Sequence, residues 1–243
     1  MSPLLAFEAV TKRALDAGAR AAPLLDAVSF EVEHGETVGL WGVRRSGKST
    51  LLRIAAGVES PDAGAVRFEG RELTSLSRGE VARLLRTSIG LAAADAGGTR
   101  NEIVVDHVAL PALSLGATLR EAQIAARETL ERVGAANRAD ARIGDLAPGE
   151  RTRVAIARAL VRDPILLLVD EPGSTPSPTE RDEIYALLRR LGRDPRLTLI
   201  VASEDVAAIR TAQRAMTLGD GELRSSERGG QLLRFPGQRA NPG

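Results

Sequence analysis

Residues 42–50 have the sequence Gly42-Val43-Arg44-Arg45-Ser46-Gly47-Lys48-Ser49-Thr50, which begins with a match to the pattern G-x-x-x-x-G-K-[ST]. The apolar segment Thr37–Trp41 precedes it and is predicted to be a buried strand. Residues 49–56 are predicted to form a helix that ends at Gly57. In a strand-loop-helix unit of this kind, the backbone N–H groups of the loop bind phosphate groups. The unit therefore predicts a nucleoside triphosphate site.

The residue types of this loop predict separate roles for its polar members. We expect Lys48 to reach the β- and γ-phosphates and Ser49 to bind Mg²⁺ through its hydroxyl. ATP and Mg²⁺ are therefore the predicted ligands, and residues 42–50 are the predicted binding segment. The alternative is a glycine-rich turn without a ligand, but such a turn need not lie between a strand and a helix, as this loop does.

Length and composition restrict the class of protein. The chain has 243 residues, enough for one substantial core with a compact lobe inserted into it. It has no run of eighteen apolar residues, no secretory signal at its N-terminus and no cysteine. These features predict a soluble protein that stays inside the cell and has no disulfides. A formal net charge of +1 argues against general nucleic-acid binding.

Strand and helix patterns alternate along the chain, which predicts an α/β fold. Residues 165–169 are wholly apolar, as is typical of a strand buried in a parallel sheet, and residues 197–202 are predicted to be another buried strand. Residues 97–162 are mostly helical in pattern and form a candidate helical lobe. Residues 225–243, rich in Gly, Arg and Gln, are predicted to be a disordered tail.

An acidic pair, Asp170 and Glu171, follows the apolar strand at residues 165–169. A nucleotide site needs an acid that holds Mg²⁺ and, for hydrolysis, a base that polarises the attacking water. We assign the first role to Asp170 and the second to Glu171. The alternative for such a pair is an ordinary solvated turn, which the presence of the phosphate loop disfavours.

Three segments together resemble the ATP-binding subunit of ABC transporters. They are the loop at residues 42–49, a motif at residues 146–151 just before a helix, and Leu168-Val169-Asp170-Glu171-Pro172. The resemblance extends over nearly the whole chain. Residues 108–111 and 151–160 are similar to the branch that serves lipoprotein-release and macrolide-export permeases.

The resemblance implies a P-loop NTPase fold of the ABC ATPase type. Its domain at residues 1–224 has a mixed, mainly parallel core sheet and a helical subdomain inserted at about residues 97–162. ATP hydrolysis is implied, with Lys48 and Glu171 as catalytic residues. Two partners are also implied, an integral membrane permease and a second ATP-binding subunit in a homodimer or heterodimer. We expect the permease to hold the cytoplasmic chain at the inner face of the cell membrane.

The motif at residues 146–150 departs from the family's Leu-Ser-Gly-Gly-Gln signature, which caps the γ-phosphate of the partner subunit's ATP. Here the motif is Leu146-Ala147-Pro148-Gly149-Glu150. Ala147 has no hydroxyl to donate, and Pro148 has no N–H and a fixed φ. We therefore predict that Ala147, Gly149 and Glu150 make a degenerate contact with the partner's nucleotide.

Other positions also differ from the family near the expected site. Ala94 stands where a glutamine is expected to contact Mg²⁺, and Asp95 beside it is either a substitute ligand or, as the favoured alternative, a solvated residue. Glu204 stands at the position of the switch histidine, where a carboxylate repels the γ-phosphate unless it is protonated or turned away. Both histidines, His34 and His107, lie far upstream and are predicted to be surface residues.

Three more replacements bear on the partner subunit and the nucleotide. Ser177 replaces an aspartate that contacts the opposite subunit, and it is predicted to be a helix N-cap with Pro178 at N1 and Glu180 reaching back. Arg13 lies near the position of an aromatic that stacks on adenine, and a solvated arginine is favoured over stacking. Arg45 replaces a glycine, with two alternative consequences: its charge strengthens nucleotide binding, or its side chain strains the loop if the position requires a positive φ.

Two hypotheses follow from these residues. The first is an ATPase subunit that drives a separate membrane permease with slow or conditional hydrolysis, and the retained phosphate loop and acidic pair support it. The second is a non-hydrolysing regulatory module in an asymmetric dimer, and the replaced positions support it. A soluble ABC protein of DNA repair or translation is disfavoured, because the chain has one cassette and no long coiled-coil insertion.

Overall fold

The computed structural model describes residues 2–14, 23–93, 97–174 and 177–225. Within these ranges the chain forms two sheets whose strands alternate with helices. The strands are β1 (Leu5–Lys12), β2 (Leu25–Val32), β3 (Thr37–Trp41), β4 (Ala63–Phe68), β5 (Arg71–Glu72), β6 (Ile89–Ala92), β7 (Leu166–Asp170), β8 (Thr198–Ser203), β9 (Arg214–Gly219) and β10 (Glu222–Ser225).

The helices begin mostly where short polar residues precede an apolar pattern. Ser77, Thr118 and Ser177 are N-caps, each with a glutamate three residues later that completes a capping box. None of the helices in the described ranges is long and apolar enough to cross a membrane. The helices are α1 (Lys48–Ala55), α2 (Arg78–Thr87), α3 (Val104–Leu113), α4 (Leu119–Arg132), α5 (Pro148–Leu160), α6 (Pro178–Leu191) and α7 (Val206–Ile209).

The larger sheet has six strands in the order β10-β9-β3-β8-β7-β6. Its neighbouring strands are parallel, except that β10 is antiparallel to β9. The prediction of a mixed, mainly parallel core sheet is therefore confirmed. β3 and β7 have the same direction and both lie beside β8. The residues that follow them therefore meet at one edge of the sheet, the edge formed by the carboxyl ends of its parallel strands.

The smaller sheet is antiparallel, in the order β2-β1-β4-β5. The apolar pattern at residues 65–68 predicts a short strand, which is present within β4, whereas no pattern predicts β1 or β2. Bulges interrupt the register of β1 with both of its neighbours, and Ala9 and Ala27 have a positive φ in these strands. Such bulges break the two-residue alternation by which strands are recognised.

The core lies on both faces of the larger sheet. On β7, Leu166 and Leu168 point to the face that packs on α1 and the smaller sheet, whereas Leu167 and Val169 point to the face covered by α3 to α6. Burial on both faces explains why this strand is a continuous apolar run. Helix α5 packs against α3, α4 and β6, so the helices within residues 97–162 are continuous with the core of the sheet. Their status as an inserted subdomain stays a prediction.

Two sequence predictions are wrong in the structure. His107 is in a helix as expected, but it is buried rather than at the surface, with Nδ1 3.3 Å from Oε2 of Glu102 and Gly98 covering its ring. The pattern missed this because the burial comes from a loop rather than from the face of α3. The predicted tail begins one residue too early, since Ser225 pairs with Met216 as the last residue of β10. Residues 226–243 lie outside the described residues.

Candidate nucleotide-binding site

The predicted phosphate loop joins the end of β3 to the start of α1. Gly47 is the N-cap of α1 and has a φ of 101°, in the left-handed region. A Cβ on Gly47 would lie 2.8 Å from the carbonyl oxygen of Leu24, so glycine alone fits this position. The first N–H groups of a helix have no partner within it, which suits this end of α1 to a phosphate group. The strand-loop-helix unit predicted from the sequence is therefore present.

The side chain of Lys48 is buried beneath this loop. Its Nζ donates hydrogen bonds to the carbonyl oxygens of Gly42, at 2.7 Å, and Val43, at 3.1 Å. The same Nζ lies 3.0 Å from Oε1 of Glu171. The lysine therefore links the loop to the acidic pair at the end of β7.

Two hydroxyl groups of the loop segment have different surroundings. Oγ of Ser46 is buried without a hydrogen-bond partner, and the N–H of Ser46 donates to the carbonyl of Val43 at 3.1 Å. Oγ1 of Thr50 accepts a hydrogen bond from Arg53 at 3.0 Å, on the first turns of α1. The Thr50 hydroxyl is therefore hydrogen-bonded within α1, whereas the Ser46 hydroxyl in the loop has no hydrogen-bond partner.

Asp170 is the last residue of β7 and is partly buried. Burial raises the pKa of its carboxyl above the usual value, and a hydrogen bond from Ser49 opposes this effect. Oδ1 of Asp170 is buried without a hydrogen-bond partner. The two residues predicted to hold a metal therefore lie together, with one carboxylate oxygen uncommitted.

The carboxylate of Glu171 is held by groups from two segments, the start of α1 and the end of β8. Lys48 contacts its Oε1, while Oε2 accepts hydrogen bonds from the hydroxyl of Ser203 and the backbone N–H of Glu204, each at 3.2 Å. The carbonyl of Glu204 accepts a hydrogen bond from the indole of Trp41 at 3.0 Å. The predicted switch position therefore contacts the predicted base through its backbone, while the Glu204 side chain is exposed.

Arg44 and Arg45 are exposed at the tip of the loop. Arg45 has a φ of 65°, so it occupies the left-handed region that favours glycine. The strain expected from its replacement of a glycine is thus present in the structure. Its charge, like that of Arg44, is placed beside the segment predicted to bind a polyanion.

The residues predicted to form a degenerate signature lie in a separate cluster at the start of α5. Ala147 is the N-cap and has no side-chain acceptor, and its N–H donates to Oε2 of Glu150 at 2.9 Å. Oε1 of Glu150 accepts a hydrogen bond from Arg138 at 2.6 Å. The N–H of Gly149 donates to Oε1 of Glu180 at 3.2 Å. These contacts are made within α5 and with Arg138 and Glu180, and none of them is with the phosphate loop.

The structure thus divides the predicted site residues into two groups, one at the edge of the larger sheet and one at the start of α5. Sequence reasoning missed Ser203, Trp41 and Glu180 as contacts of these groups. Only Ser203 had a usable signal, since it is a hydroxyl residue directly after a predicted apolar strand. The group at the sheet edge comprises Lys48, Ser49, Asp170, Glu171 and the backbone of Glu204.

Two positions weighed as substitutes for family contacts, and favoured as solvated residues, are not tested. The backbone N–H of Arg13 donates a hydrogen bond to Oδ2 of Asp62 at 2.8 Å. This contact fixes the backbone and does not test whether the Arg13 side chain stacks on adenine. Ala94 and Asp95 lie outside the described residues, so the metal role weighed for Asp95 is not tested.

A family model described as ABC transporter matches residues 25–174, which include both the phosphate loop and the acidic pair. The chain belongs to the ABC transporter family. The expected family and fold class are confirmed, and with them the binding of nucleotide and the ATPase reaction. The hypothesis of a non-hydrolysing module gains no support from the relatives.

Curated relatives of this ABC protein serve different transporters. The lipoprotein-releasing system ATP-binding protein LolD of Myxococcus xanthus is 36% identical over 200 residues, covering 82% of this chain and 89% of the relative. The methionine import ATP-binding protein MetN 2 of Rhodopseudomonas palustris is 39% identical over 219 residues, covering 89% of this chain and 57% of the relative.

Solved structures include a dimeric, post-hydrolysis state of the ATP-binding cassette MJ0796 bound to ADP and Pi. It superposes on this chain with a TM-score of 0.85 at 27% sequence identity, covering 93% of this chain and 100% of the cassette. The likeness covers nearly the whole chain, so the fold described above is that of an ABC ATPase cassette.

Proposed function

We propose that this chain is the ATP-hydrolysing subunit of a transporter whose membrane permease is a separate chain. The observation that carries the proposal is the convergence of Lys48, Ser49, Asp170 and Glu171 at one edge of the larger sheet. Binding of a nucleoside triphosphate needs a cation at the phosphates and ligands for a metal, and hydrolysis needs a base. This edge of the sheet supplies each of them.

Asp170 and Ser49 fit a magnesium ion. Mg²⁺ prefers oxygen ligands and usually takes one or two groups from the protein, with phosphates and water completing its shell. The uncommitted, buried Oδ1 of Asp170 is such a ligand, and the hydroxyl of Ser49 is beside it. No cluster of three or more His, Cys, Asp or Glu suited to a metal occurs among the described residues, as expected for an ion that shares phosphate ligands. When bound, Mg²⁺ neutralises charge on the phosphates.

Lys48 and Glu171 perform the remaining chemistry. Lys48 stabilises the negative charge on the β- and γ-phosphate oxygens. Glu171 accepts a proton from water as the water oxygen bonds to the γ-phosphorus and the bond from that phosphorus to the bridging oxygen breaks. Ser203 and Glu204 hold Oε2 of Glu171, so Oε1 is the oxygen that faces water once Lys48 turns to the phosphates.

A groove beside β6 supports the permease as partner. It has a volume of about 520 Å³ and lies between β6, α3 and α5. Leu91 and Leu110 line it and are respectively 38% and 44% exposed, although both are large and apolar. Arg158 and Arg162 line its floor. Exposed apolar side chains that border a groove are typical of a surface that receives a helix.

The proposal includes a second ATP-binding subunit, which faces the start of α5 with its own nucleotide. The dimeric form of MJ0796 and the mutual likeness of the folds support this arrangement. Assembly with the permease places the chain on the cytoplasmic side of the cell membrane. ATP binding and hydrolysis are then coupled to transport because ATP-driven association of the two ATP-binding subunits changes the conformation of the permease.

The nucleotide site is tested with Lys48→Ala, measured as binding of a fluorescent ATP analogue. We expect loss of measurable binding, because the variant removes the buried charge at the phosphates. Arg71→Ala is the matched control, since it removes an exposed positive charge that pairs with Glu80 on the surface. Unchanged affinity in the Lys48 variant would show that the site has been misassigned.

The permease is tested with paired leucine variants, purified with their partners from solubilised membranes. Leu110→Arg places a charge in the groove and is expected to abolish recovery of a membrane permease. Leu119→Arg is the control, because Leu119 is also exposed but does not line the groove. Equal recovery of the permease by both variants would exclude the groove as the docking site.

A further inference from the structure

The carboxylate of Glu180 contacts the N-termini of two helices. Its Oε2 accepts hydrogen bonds from Ser177 at the start of α6, from the N–H at 2.9 Å and from the hydroxyl at 2.7 Å. Its Oε1 accepts the hydrogen bond from the N–H of Gly149, in the first turn of α5. One side chain therefore caps α6 and also occupies the start of α5.

The contact with α5 does not follow from the capping motif itself. The equivalent residue of α2, Glu80, also uses Oε2 for its capping serine, but its Oε1 lies 3.2 Å from the surface cation Arg71. In α4, Oε2 of Glu121 accepts the same pair of hydrogen bonds from Thr118. Among the capping boxes in the described ranges, the one of α6 is therefore distinguished by its reach to a second helix.

Gly149 is essential to this approach of α5 and α6. A Cβ on Gly149 would lie 2.7 Å from Oε1 and 2.8 Å from Cβ of Glu180. The preceding Pro148 has no N–H to offer, and the N–H of Ala147 is already donated to Glu150. The amides on either side of Pro148 are thus both satisfied by carboxylates of the same chain.

The carboxylates of Glu150 and Glu180 lie at the N-terminus of α5, a position that would also favour the binding of an anion from another molecule. The N–H groups and the dipole at a helix N-terminus attract negative charge. Hydrogen bonds from Ser177, and more weakly from Gly149, hold the pKa of Glu180 below its usual value, so the group is ionised at neutral pH. A phosphate approaching the amide of Gly149 therefore meets a negative oxygen 3.2 Å from that nitrogen.

We propose that Glu180 acts as an internal anion at the start of α5 and must leave Gly149 before the γ-phosphate of a second subunit's ATP binds there. This inference rests on the proposed function, in which α5 faces the partner's nucleotide. Glu180 is thus a positioning residue that opposes ATP-driven association. The loss of the signature hydroxyl at Ala147 removes one attraction for the phosphate, and Glu180 adds a competitor.

The test measures the dissociation constant of the ATP-driven dimer by analytical ultracentrifugation, with Glu171→Gln present throughout to prevent turnover. Adding Glu180→Ala is expected to lower this constant about tenfold with ATP and Mg²⁺, because one charge-assisted hydrogen bond no longer competes. No change is expected with ADP, which has no γ-phosphate. Glu180→Gln retains an acceptor for the cap of α6, and it is expected to give a smaller decrease.

Glu121→Ala is the matched control, because it removes the same capping glutamate from α4 without affecting α5. It is expected to leave the dissociation constant unchanged. A dimer that forms with ATP but is equally tight in the Glu180 and Glu121 variants overturns the inference and leaves the proposed function intact. Absence of ATP-driven association in every variant also overturns it, and binding of the ATP analogue then decides whether the nucleotide site fails as well.

Discussion

The ammonium of Lys48 lies 3.0 Å from Oε1 of Glu171, so the residue assigned to the phosphates is paired with the residue assigned to the water. The lysine side chain is 5% exposed and the glutamate 25%, which makes this pair stronger than one at the surface. Phosphate oxygens that bind Lys48 must compete with Glu171. Binding and activation of the base are therefore linked, because a lysine that turns to the phosphates also releases Oε1.

The first prediction concerns Glu171→Gln. Loss of the base is expected to lower phosphate release about a hundredfold, as steady-state turnover measures it. Affinity for the fluorescent ATP analogue is expected to rise, because a neutral amide no longer competes for Lys48. Glu222→Gln, on β10, is the control and should change neither quantity.

Wild-type turnover is itself expected to be slow, because the signature serine and the switch histidine are replaced. Brisk release by the isolated wild-type chain would contradict this expectation. Equal background rates in wild type and Glu171→Gln would instead favour a protein that binds ATP without hydrolysing it.

The second prediction concerns Asp170→Asn in protein kept free of metal with a chelator. Burial raises the pKa of Asp170 above its usual value of 3.8, so the fold disfavours the ionised form. Native stability is therefore lost as the pH rises through the interval above 3.8. The asparagine variant lacks this penalty, so its melting temperature should exceed that of the wild type at pH 7.

The pH dependence separates this effect from a simple packing change. The difference in melting temperature should shrink as the pH falls toward 3.8 and vanish well below it, because Asp170 is then neutral in both the folded and the unfolded state. The same variant should lose the dependence of ATP binding on Mg²⁺. A variant less stable than wild type at pH 7 would contradict the assigned cause of the pKa shift.

The sequence predicted the parts of the site whose chemistry depends on adjacent residues. The phosphate loop requires a fixed spacing between Gly42, Lys48 and Ser49, and the acidic pair directly follows an apolar run, so a linear pattern contains both. The contacts of Ser203 with Glu171 could not be predicted in this way. They depend on the register that sets Asp170 of β7 opposite Ala202 of β8.

Contacts between helices could not be predicted from the sequence either. The pattern correctly identified Glu180 as the residue that reaches back to Ser177, because a capping box is local. It gave no indication that the other oxygen meets Gly149, because this depends on how α5 packs on α6. The burial of His107 was missed for a different reason, since the loop that contains Gly98 and Glu102 lies against its ring.

The third prediction concerns Arg45→Gly. Arg45 has a positive φ, so glycine is expected to stabilise the fold by about 1 kcal/mol. Loss of the charge should at the same time weaken ATP binding modestly. Thermal unfolding and titration of the ATP analogue measure the two effects separately.

Arg44→Gly is the matched control for this loop. It removes the same charge from the adjacent residue, which is not among those with a positive φ. It should therefore weaken ATP binding similarly but destabilise the fold, because glycine adds freedom to the unfolded chain. If both variants shifted stability in the same direction, backbone strain at Arg45 would not be the cause.

The last prediction concerns Glu204→His at the switch position. The backbone carbonyl and N–H of this residue are hydrogen-bonded to the indole of Trp41 and to Oε2 of Glu171. The Cα position should therefore be the same in the variant as in the wild type. The variant replaces a carboxylate that repels the γ-phosphate with a ring that donates a hydrogen bond. We expect kcat to rise about tenfold, because a donor at developing phosphate charge stabilises the transition state.

Glu204→Gln separates the two parts of this effect, since it removes the charge without adding the imidazole. We expect its kcat to lie between those of the wild type and the histidine variant. Because Glu204 contacts Glu171 through its backbone N–H, neither variant should alter the hydrogen bond from Ser203 to Glu171. A histidine variant no faster than the glutamine variant would mean that repulsion alone limits the wild-type rate, and a fall in kcat in both would mean that the Glu204 carboxylate itself assists hydrolysis.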